Sequence, residues 1–127
     1  MDFNKEEIKI NPSTIGVYTF TTNVAERQIK FEVLKFKDSI FVWIGEKHMR
    51  VFNDLSLSTL FPKTMEPIGT KIMGDQTNLT SSNIANKLSK KLSKPVYVSF
   101  NLVDDRLTVA VVNSKLAEEI KNKPQFF

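Results

Sequence analysis

Few residues of this 127-residue chain have the types and spacing that catalysis or metal binding requires. The only histidine, His48, lies in a polar segment, and general acid–base catalysis would need a partner that the sequence does not indicate. Asp104 and Asp105 are adjacent carboxylates, but a calcium or magnesium site would need more oxygen ligands close by. We interpret them as turn residues, and we interpret Asp75 beside Gly74 in the same way. We therefore expect no catalytic residue, no metal site and no cofactor.

The sequence motifs of common enzyme classes are missing as well. The chain has no cysteine, which excludes a thiolate metal site, a cysteine nucleophile and a disulfide framework. It has neither the G-x-S-x-G pattern of hydrolases nor a glycine-rich phosphate-binding loop. We expect a protein that is not an enzyme, and we keep an enzyme with an unusual site as the remote alternative.

A cluster of lysines is the strongest charge feature of the sequence. The formal net charge is +4, from 18 Lys and Arg against 14 Asp and Glu. Four lysines, Lys87, Lys90, Lys91 and Lys94, lie on one predicted helix, where they could meet nucleic-acid phosphates or an acidic protein. No aromatic residue is interleaved with them to stack on bases, so a solvated helix face is the simpler interpretation. A small nucleic-acid-binding module remains the main alternative function.

The pattern of apolar residues predicts one α+β domain over residues 15–127, after a flexible tail at residues 1–14. We expect an antiparallel sheet of about six strands with two helices packed on it. A slip in the apolar alternation at Val33 and Leu34 indicates a bulge or burial of both strand faces. The predicted strands cover residues 15–22, 27–36, 39–45, 55–61 and 96–102, with one more short strand at 68–73 and a last one at 107–112.

Two helices complete the predicted domain. The first begins near Ser81 or Ser82, either of which could cap its first turn, and Pro95 forbids its continuation. The second is a short helix after Asn113 or Ser114 that Pro124 ends. Between the helices, we expect the strand at 96–102 to form a hairpin with the one at 107–112 through a tight turn at 103–106.

The strand at 39–45 is apolar on both of its faces. Ile40, Val42 and Ile44 alternate with Phe41 and Trp43, so that one set can pack on the helices while the other needs a second layer or another subunit. Phe41 and Trp43 therefore belong either to the core or to a partner interface, where buried tryptophan often contributes most of the energy. We predict a protein interface at Phe41, Trp43 and Tyr97.

The order and spacing of several motifs resemble the proteasome assembly chaperone 4 family. Residues 38–45 are similar to the D-S-x-F-x-W-x-G strand of that family, and residues 94–102 to its K-x-V-x-V-S-x-N-L segment. Gly74-Asp75, the serines that lead into the first helix, the Glu118-Glu119 helix and the terminal Phe127 fit as well. The resemblance covers about residues 30–127 and matches least in the N-terminal third.

The resemblance implies a fold like that of proteasome assembly chaperones 3 and 4, and a chaperone without enzymatic activity. Such a protein pairs with a chaperone 3-like protein as a heterodimer and holds proteasome alpha subunits while the alpha ring forms. The sequence leaves open whether the isolated chain forms a homodimer. We expect no signal peptide, because the N-terminal residues MDFNKEEIKI lack an apolar core, and no apolar run approaches the roughly 20 residues that a membrane span needs. We expect a cytoplasmic protein, with the nucleus as a second location, and neither membrane nor nucleic acid among its partners.

Overall fold

Six strands and two helices follow one another in the computed structural model, which describes residues 15–127. The predicted tail at residues 1–14 lies outside the described residues. The strands are β1 (Gly16–Val24), β2 (Arg27–Lys35), β3 (Ile40–Glu46), β4 (Leu55–Leu60), β5 (Pro67–Met73) and β6 (Val96–Asn101). The helices are α1 (Thr80–Leu92) and α2 (Arg106–Asn122), and a 3₁₀ turn, Pro124–Phe126, follows α2.

The strands form one sheet in the order β1-β2-β3-β6-β4-β5. The predicted α+β class, with a six-stranded sheet and two helices, is confirmed. The sheet is mixed rather than purely antiparallel, because β3 and β6 run parallel with Phe41 opposite Tyr97. Parallel neighbours need a long crossover connection, and here β4, β5 and α1 supply it.

The first hairpin shows how the apolar pattern selects one face of a strand. Ile29, Phe31 and Val33 alternate along β2 and are fully buried. Of the two explanations for the slip at Val33 and Leu34, the bulge is excluded, since β1 and β2 pair without interruption from end to end. Leu34 lies on the opposite face of the sheet, opposite Phe41 of β3, so the slip in the pattern reflects apolar residues on both faces.

Helix α1 buries Ile84, Ala85 and Leu88 in the core and meets β4 through small and polar side chains. The Ser81 and Ser56 hydroxyls are 2.7 Å apart, and the Ser58 hydroxyl donates to Asn86 Oδ1 at 2.7 Å. Gly69 leaves the space that Asn86 needs, because a Cβ there would lie 2.7 Å from Asn86 Oδ1. Small residues on β4 and β5 thus let the helix approach the sheet closely.

The predicted serine cap of α1 is wrong. The helix begins at Thr80, one to two residues earlier, and no side chain caps it in the usual way. Asn78 Oδ1 instead accepts a hydrogen bond from the Thr80 amide at 3.0 Å. Ser81 is buried against Ser56, and the Ser82 hydroxyl donates to the Leu79 carbonyl, so neither serine is free to cap.

The predicted strand at 107–112 is also wrong, together with its hairpin turn at 103–106. Helix α2 begins at Arg106 and runs for 17 residues, because Asp105 caps it by accepting the Thr108 amide at 2.8 Å. Thr108, Val112, Leu116 and Ile120 recur every four residues and are all buried. This helical periodicity prevails over the strand propensity of the β-branched residues in the first two turns.

Both helices pack on one face of the sheet, and the core lies between the helix layer and the sheet. Buried residues of β2, β3 and β6 face α1 and α2. The side chain of Phe127 returns to this layer and is 2% exposed. We call the opposite side of the sheet, which no helix of residues 15–127 covers, the open face.

Candidate protein-binding face

The open face carries a row of apolar side chains that crosses the sheet. Residues that pair across strands share a face, so the strand register identifies the members of the row. It consists of one residue from each strand: Val17, Leu34, Phe41, Tyr97, Leu57 and Thr70. Five of these six are apolar or aromatic and none is charged. Val17 is 67% exposed, and the inner members of the row are half-buried.

The segment 47–54, between β3 and β4, covers part of the open face beside this row. The indole Nε1 of Trp43 donates to the Val51 carbonyl at 2.8 Å. The rings of Phe41 and Phe52 meet edge to face, with centroids 6.1 Å apart. Phe52 itself remains 50% exposed. Trp43 therefore holds this segment against the sheet.

A shallow cavity of about 270 Å³ opens where segment 47–54 leaves the sheet. Its aromatic walls are Phe41, Trp43 and Phe52. Glu32 and Arg50 form its polar edge, where Arg50 Nη1 lies 3.5 Å from Glu32 Oε2. Lys30 Nζ lies 3.2 Å from the same oxygen, so the two cations of this rim share one carboxylate. An apolar centre with a polar rim is the usual anatomy of a protein interface.

More apolar residues continue the open face at the far side of the sheet. Ile68 and Ile72 on β5 are 50% and 51% exposed. Leu55 and Leu57 on β4 are half-buried on this face. Ser56 and Ser58, which alternate with them, are fully buried against α1. Strand β4 thus has leucines on the side away from the core, the reverse of the usual arrangement in a free-standing domain.

The structure brings together the three predicted interface residues. Phe41 and Tyr97 are direct neighbours in the parallel pair of β3 and β6, and Trp43 lies two residues further along β3. All three are half-buried on the open face. Other members of the face, such as Leu57 and Val17, were not predicted as interface residues from the sequence. The alternation of leucine with serine along β4 was the available signal, but it does not tell which set is buried.

The lysine-rich helix lies on the other side of the molecule. Lys87, Lys90 and Lys91 are exposed on α1, and Lys90 Nζ is 3.7 Å from Glu66 Oε2. No aromatic side chain lies on α1 to stack with bases. The helix layer and the open face are therefore chemically distinct, one charged and the other apolar.

The residues considered for chemistry are dispersed. His48 is exposed in the turn after β3. Asp75 accepts hydrogen bonds from the Thr77 amide and hydroxyl, which lower its pKa and confirm a turn role. Asp105 caps α2, and its bond from the Thr108 amide lowers its pKa. Asp104 accepts the Thr80 hydroxyl at 2.7 Å and links the beginnings of the two helices.

The described part of the chain offers neither a metal-binding cluster nor a membrane-spanning helix. Residues 15–127 contain no group of three or more histidine, cysteine, aspartate or glutamate side chains that could hold a metal ion. Within the same residues, no helix has the length and apolar character needed to cross a membrane.

Comparison with known proteins agrees with the sequence resemblance. The model of the family described as proteasome assembly chaperone 4 matches residues 28–102. Proteasome assembly chaperone 4 of Mus musculus is 31% identical over 116 residues, which cover 89% of this chain and 91% of the mouse protein. The Homo sapiens protein of the same name is 29% identical over 115 residues, with the same coverage.

A solved structure has a similar fold. It is a chain from the crystal structure of a chaperone complex for yeast 20S proteasome assembly. The two folds superpose with a TM-score of 0.64, over 85% of this chain and 96% of the yeast chain. Sequence identity is 13%, so this likeness concerns the fold alone.

Proposed function

Because the chain belongs to the proteasome assembly chaperone 4 family, we propose that it is a chaperone that acts in assembly of the proteasome core particle. In this proposal it forms a heterodimer with a proteasome assembly chaperone 3-like protein. The heterodimer holds alpha subunits while the alpha ring forms and acts by binding, without catalysis. Location in the cytoplasm, with the nucleus as a second compartment, is part of the same proposal.

The observation that carries the proposal is the apolar row on the open face. The sheet is about 24 Å wide, from five strand spacings of about 4.8 Å, and its strands are about 20 Å long or longer. A face of this size is comparable to the roughly 800 Å² per partner that a stable interface buries. Contiguous apolar residues exposed on a monomer usually mark a binding site, so a second protein is the expected cover of this row.

The arrangement of charges supports a protein partner on this face. The central residues Phe41, Tyr97 and Leu57 lie side by side without a charge between them. The nearest charged groups, Glu32 with Lys30 and Arg50, already pair with one another at the rim. A partner with an apolar sheet face of its own could cover the centre without leaving a charge unpaired.

The test is to recover the tagged chain from its own cells and to identify the co-purified proteins by mass spectrometry. We expect a second small chaperone together with proteasome alpha subunits, and no mature proteasome. A Tyr97→Glu variant should lose the small chaperone, because a carboxylate would be buried in the apolar row. A Lys87→Glu variant, with the charge placed on the helix layer, should retain it.

The same experiment addresses the nucleic-acid alternative. Binding through the exposed lysines of α1 would be lost at higher salt, since it depends on the release of counterions from phosphates. Recovery of ribonucleoproteins alone, abolished by nuclease and by Lys87→Glu, would contradict the chaperone proposal. Recovery of the small chaperone at high salt and after nuclease would support it.

A further inference from the structure

Strand β1 is an edge of the sheet without the features that normally prevent strand addition. Among residues 15–127 it pairs with β2 alone, over nine residues without a bulge. Its sequence, GVYTFTTNV, contains no charged residue and no proline. Proteins usually protect exposed edges with charges, proline, bulges or short length, because the free amides and carbonyls can pair with another strand.

The opposite edge, β5, has several of these protective features. It begins with Pro67, and Lys71 points inward to the Asp54 carboxylate with only 5% of its side chain exposed. Its pairing with β4 shifts register between Leu55 and Ser56. The difference between the two edges of one sheet indicates that β1 is left available for pairing.

A groove beside β1 provides space for an added strand. It lies between the helix side of β1 and helix α2 and has a volume of about 390 Å³. Thr22 lines it from the sheet, and the small residues Ala110 and Ser114 line it from α2. Grooves between an edge strand and a helix are places where proteins take up extended segments by strand addition.

We propose that the occupant of this edge is β1 of a second copy of the chain, paired antiparallel about a twofold axis near Phe20. This register places Thr19 opposite Thr21 of the second copy on the open face and the two Phe20 rings opposite each other on the helix side. Threonine pairs and aromatic pairs are favourable across antiparallel strands. No charge lies along β1, so the strand does not repel its own copy.

The charges beside the groove also suit a second copy. Its charged lining residues are one lysine and one glutamate, Lys115 and Glu118, whose Nζ and Oε1 atoms lie 3.2 Å apart. Lys115 Nζ also lies 6.0 Å from the centre of the Phe20 ring, near the proposed axis. Within its own copy each Lys115 already pairs with Glu118 and, at 3.1 Å, with Glu119, so the groove brings no uncompensated positive charge to the axis. Symmetric pairing of one surface with itself is the commonest form of oligomer.

This pairing is compatible with the proposed function but does not depend on it. It joins two six-stranded sheets edge to edge, so both open faces stay free and lie on the same side. A dimer formed in this way could therefore bind two copies of a partner. Failure of the chaperone proposal would leave the edge pairing intact, and the reverse also holds.

The test measures the molar mass of the purified full chain by sedimentation equilibrium over a range of concentrations. We expect wild type to be dimeric at high concentration. The double variant Thr19→Lys/Thr21→Lys should be monomeric, because each added lysine would face another lysine across the axis. A second double variant, Thr19→Glu/Thr21→Glu, should be monomeric as well. An equimolar mixture of the two variants should recover the dimer through opposite charges.

A control and three outcomes make the test decisive. The control variant Thr70→Lys places one lysine on the protected edge β5 and should leave the dimer unchanged. Circular dichroism verifies that every variant is folded. A monomeric wild type would overturn the proposal. So would a dimer that persists in both double variants but is lost in Phe41→Lys, since the second copy would then lie on the open face. If the β1 amides that do not bond to β2 resist hydrogen exchange equally at every concentration, another segment occupies the edge, which also overturns it.

Discussion

Glu119 shows at the level of single residues how α2 is fixed to the edge of the sheet. Its carboxylate is 7% exposed, accepts the Tyr18 hydroxyl at 2.5 Å and pairs with Lys115 Nζ at 3.1 Å. Burial raises the pKa of this carboxyl, but the bonds from Tyr18 and Lys115 and the charges of Lys115 and Lys123 bring it below its ordinary value of 4.5. The network ties the first strand to the last helix across a hundred residues of chain.

Stability should therefore depend on pH through Glu119. Because its pKa is lower in the folded than in the unfolded chain, ionised Glu119 stabilises the fold above about pH 4.5, and this contribution is lost as pH falls through the folded-state pKa. We expect Glu119→Gln to be less stable than wild type at pH 7 by about 1–3 kcal/mol. The difference should narrow as pH falls below about 4.5.

Urea unfolding of both proteins between pH 3 and pH 7 measures this difference. Glu118→Gln is the matched control, since Glu118 is the exposed neighbour and should show a smaller effect. A constant gap between wild type and Glu119→Gln over the whole pH range would contradict the role given to the charge.

Trp43 has a structural role that its sequence position does not reveal. The sequence predicted that Trp43 lies either in the core or in an interface. In the structure its indole holds segment 47–54 by donating to the Val51 carbonyl. Trp43→Phe keeps an aromatic ring but removes the donor. We expect segment 47–54 to open more often, so that trypsin cleaves after Lys47 and Arg50 severalfold faster than in wild type.

The rate of tryptic cleavage, followed by mass spectrometry under native conditions, tests this role. Tyr97→Phe changes the neighbouring strand of the same face and should leave the cleavage rate unchanged. Equal rates in Trp43→Phe and wild type would show that the hydrogen bond does not hold the segment in place.

At the level of elements, the two helices differ in how they begin. Asp105 caps α2 through the Thr108 amide, whereas α1 starts without a side-chain cap at the position before Thr80. We expect Asp105→Ala to lower Tm by a few degrees, because an N-cap is among the larger local contributions to helix stability. Ser82→Ala should have little effect, since the Ser82 hydroxyl only donates to the Leu79 carbonyl.

Thermal unfolding followed by circular dichroism compares the two variants. A loss in Ser82→Ala as large as the loss in Asp105→Ala would mean that the capping roles have been assigned to the wrong residues.

The elements also show how far the sequence determines the fold. The alternation of Ile29, Phe31 and Val33 along β2 and the fourfold spacing of Ile84, Leu88 and Leu92 predict their strand and helix, because each pattern matches only one periodicity. The start of α2 was missed because residues 107–112 are rich in valine and threonine, while the evidence for a helix lies in contacts with distant strands. The parallel pairing of β3 with β6 joins residues more than fifty positions apart and leaves no local signal in the sequence.

The residues of the open face likewise divide into those that the sequence identifies and those that depend on distant strand pairing. Phe41 and Trp43 were identifiable because β3 is apolar on both faces, which is unusual for a strand with one helix layer. Leu57 was not, since its face becomes defined only when β4 pairs with β6. Tyr97 was named on weaker grounds, and its place beside Phe41 depends on the parallel register.

At the level of the whole molecule, the sheet divides the protein into two unlike sides. One side has the two helices, a complete core and most of the lysines. The other has an apolar row that extends from Val17 to Leu57 and is partly covered by segment 47–54. A fold with a finished core and an uncovered apolar face is suited to binding another protein, and family membership agrees with such a role.

The most direct test of this account is the affinity of the purified chain for its co-purified small chaperone, measured by titration calorimetry for wild type and two lysine variants. Phe41→Lys places a charge at the centre of the open face, and Leu107→Lys places one at an exposed apolar residue of the helix layer. We predict that Phe41→Lys weakens binding at least about tenfold, equivalent to about 1.4 kcal/mol, and that Leu107→Lys binds like wild type. Wild-type affinity in Phe41→Lys, with a loss in Leu107→Lys, would contradict the assignment of the open face as the partner interface.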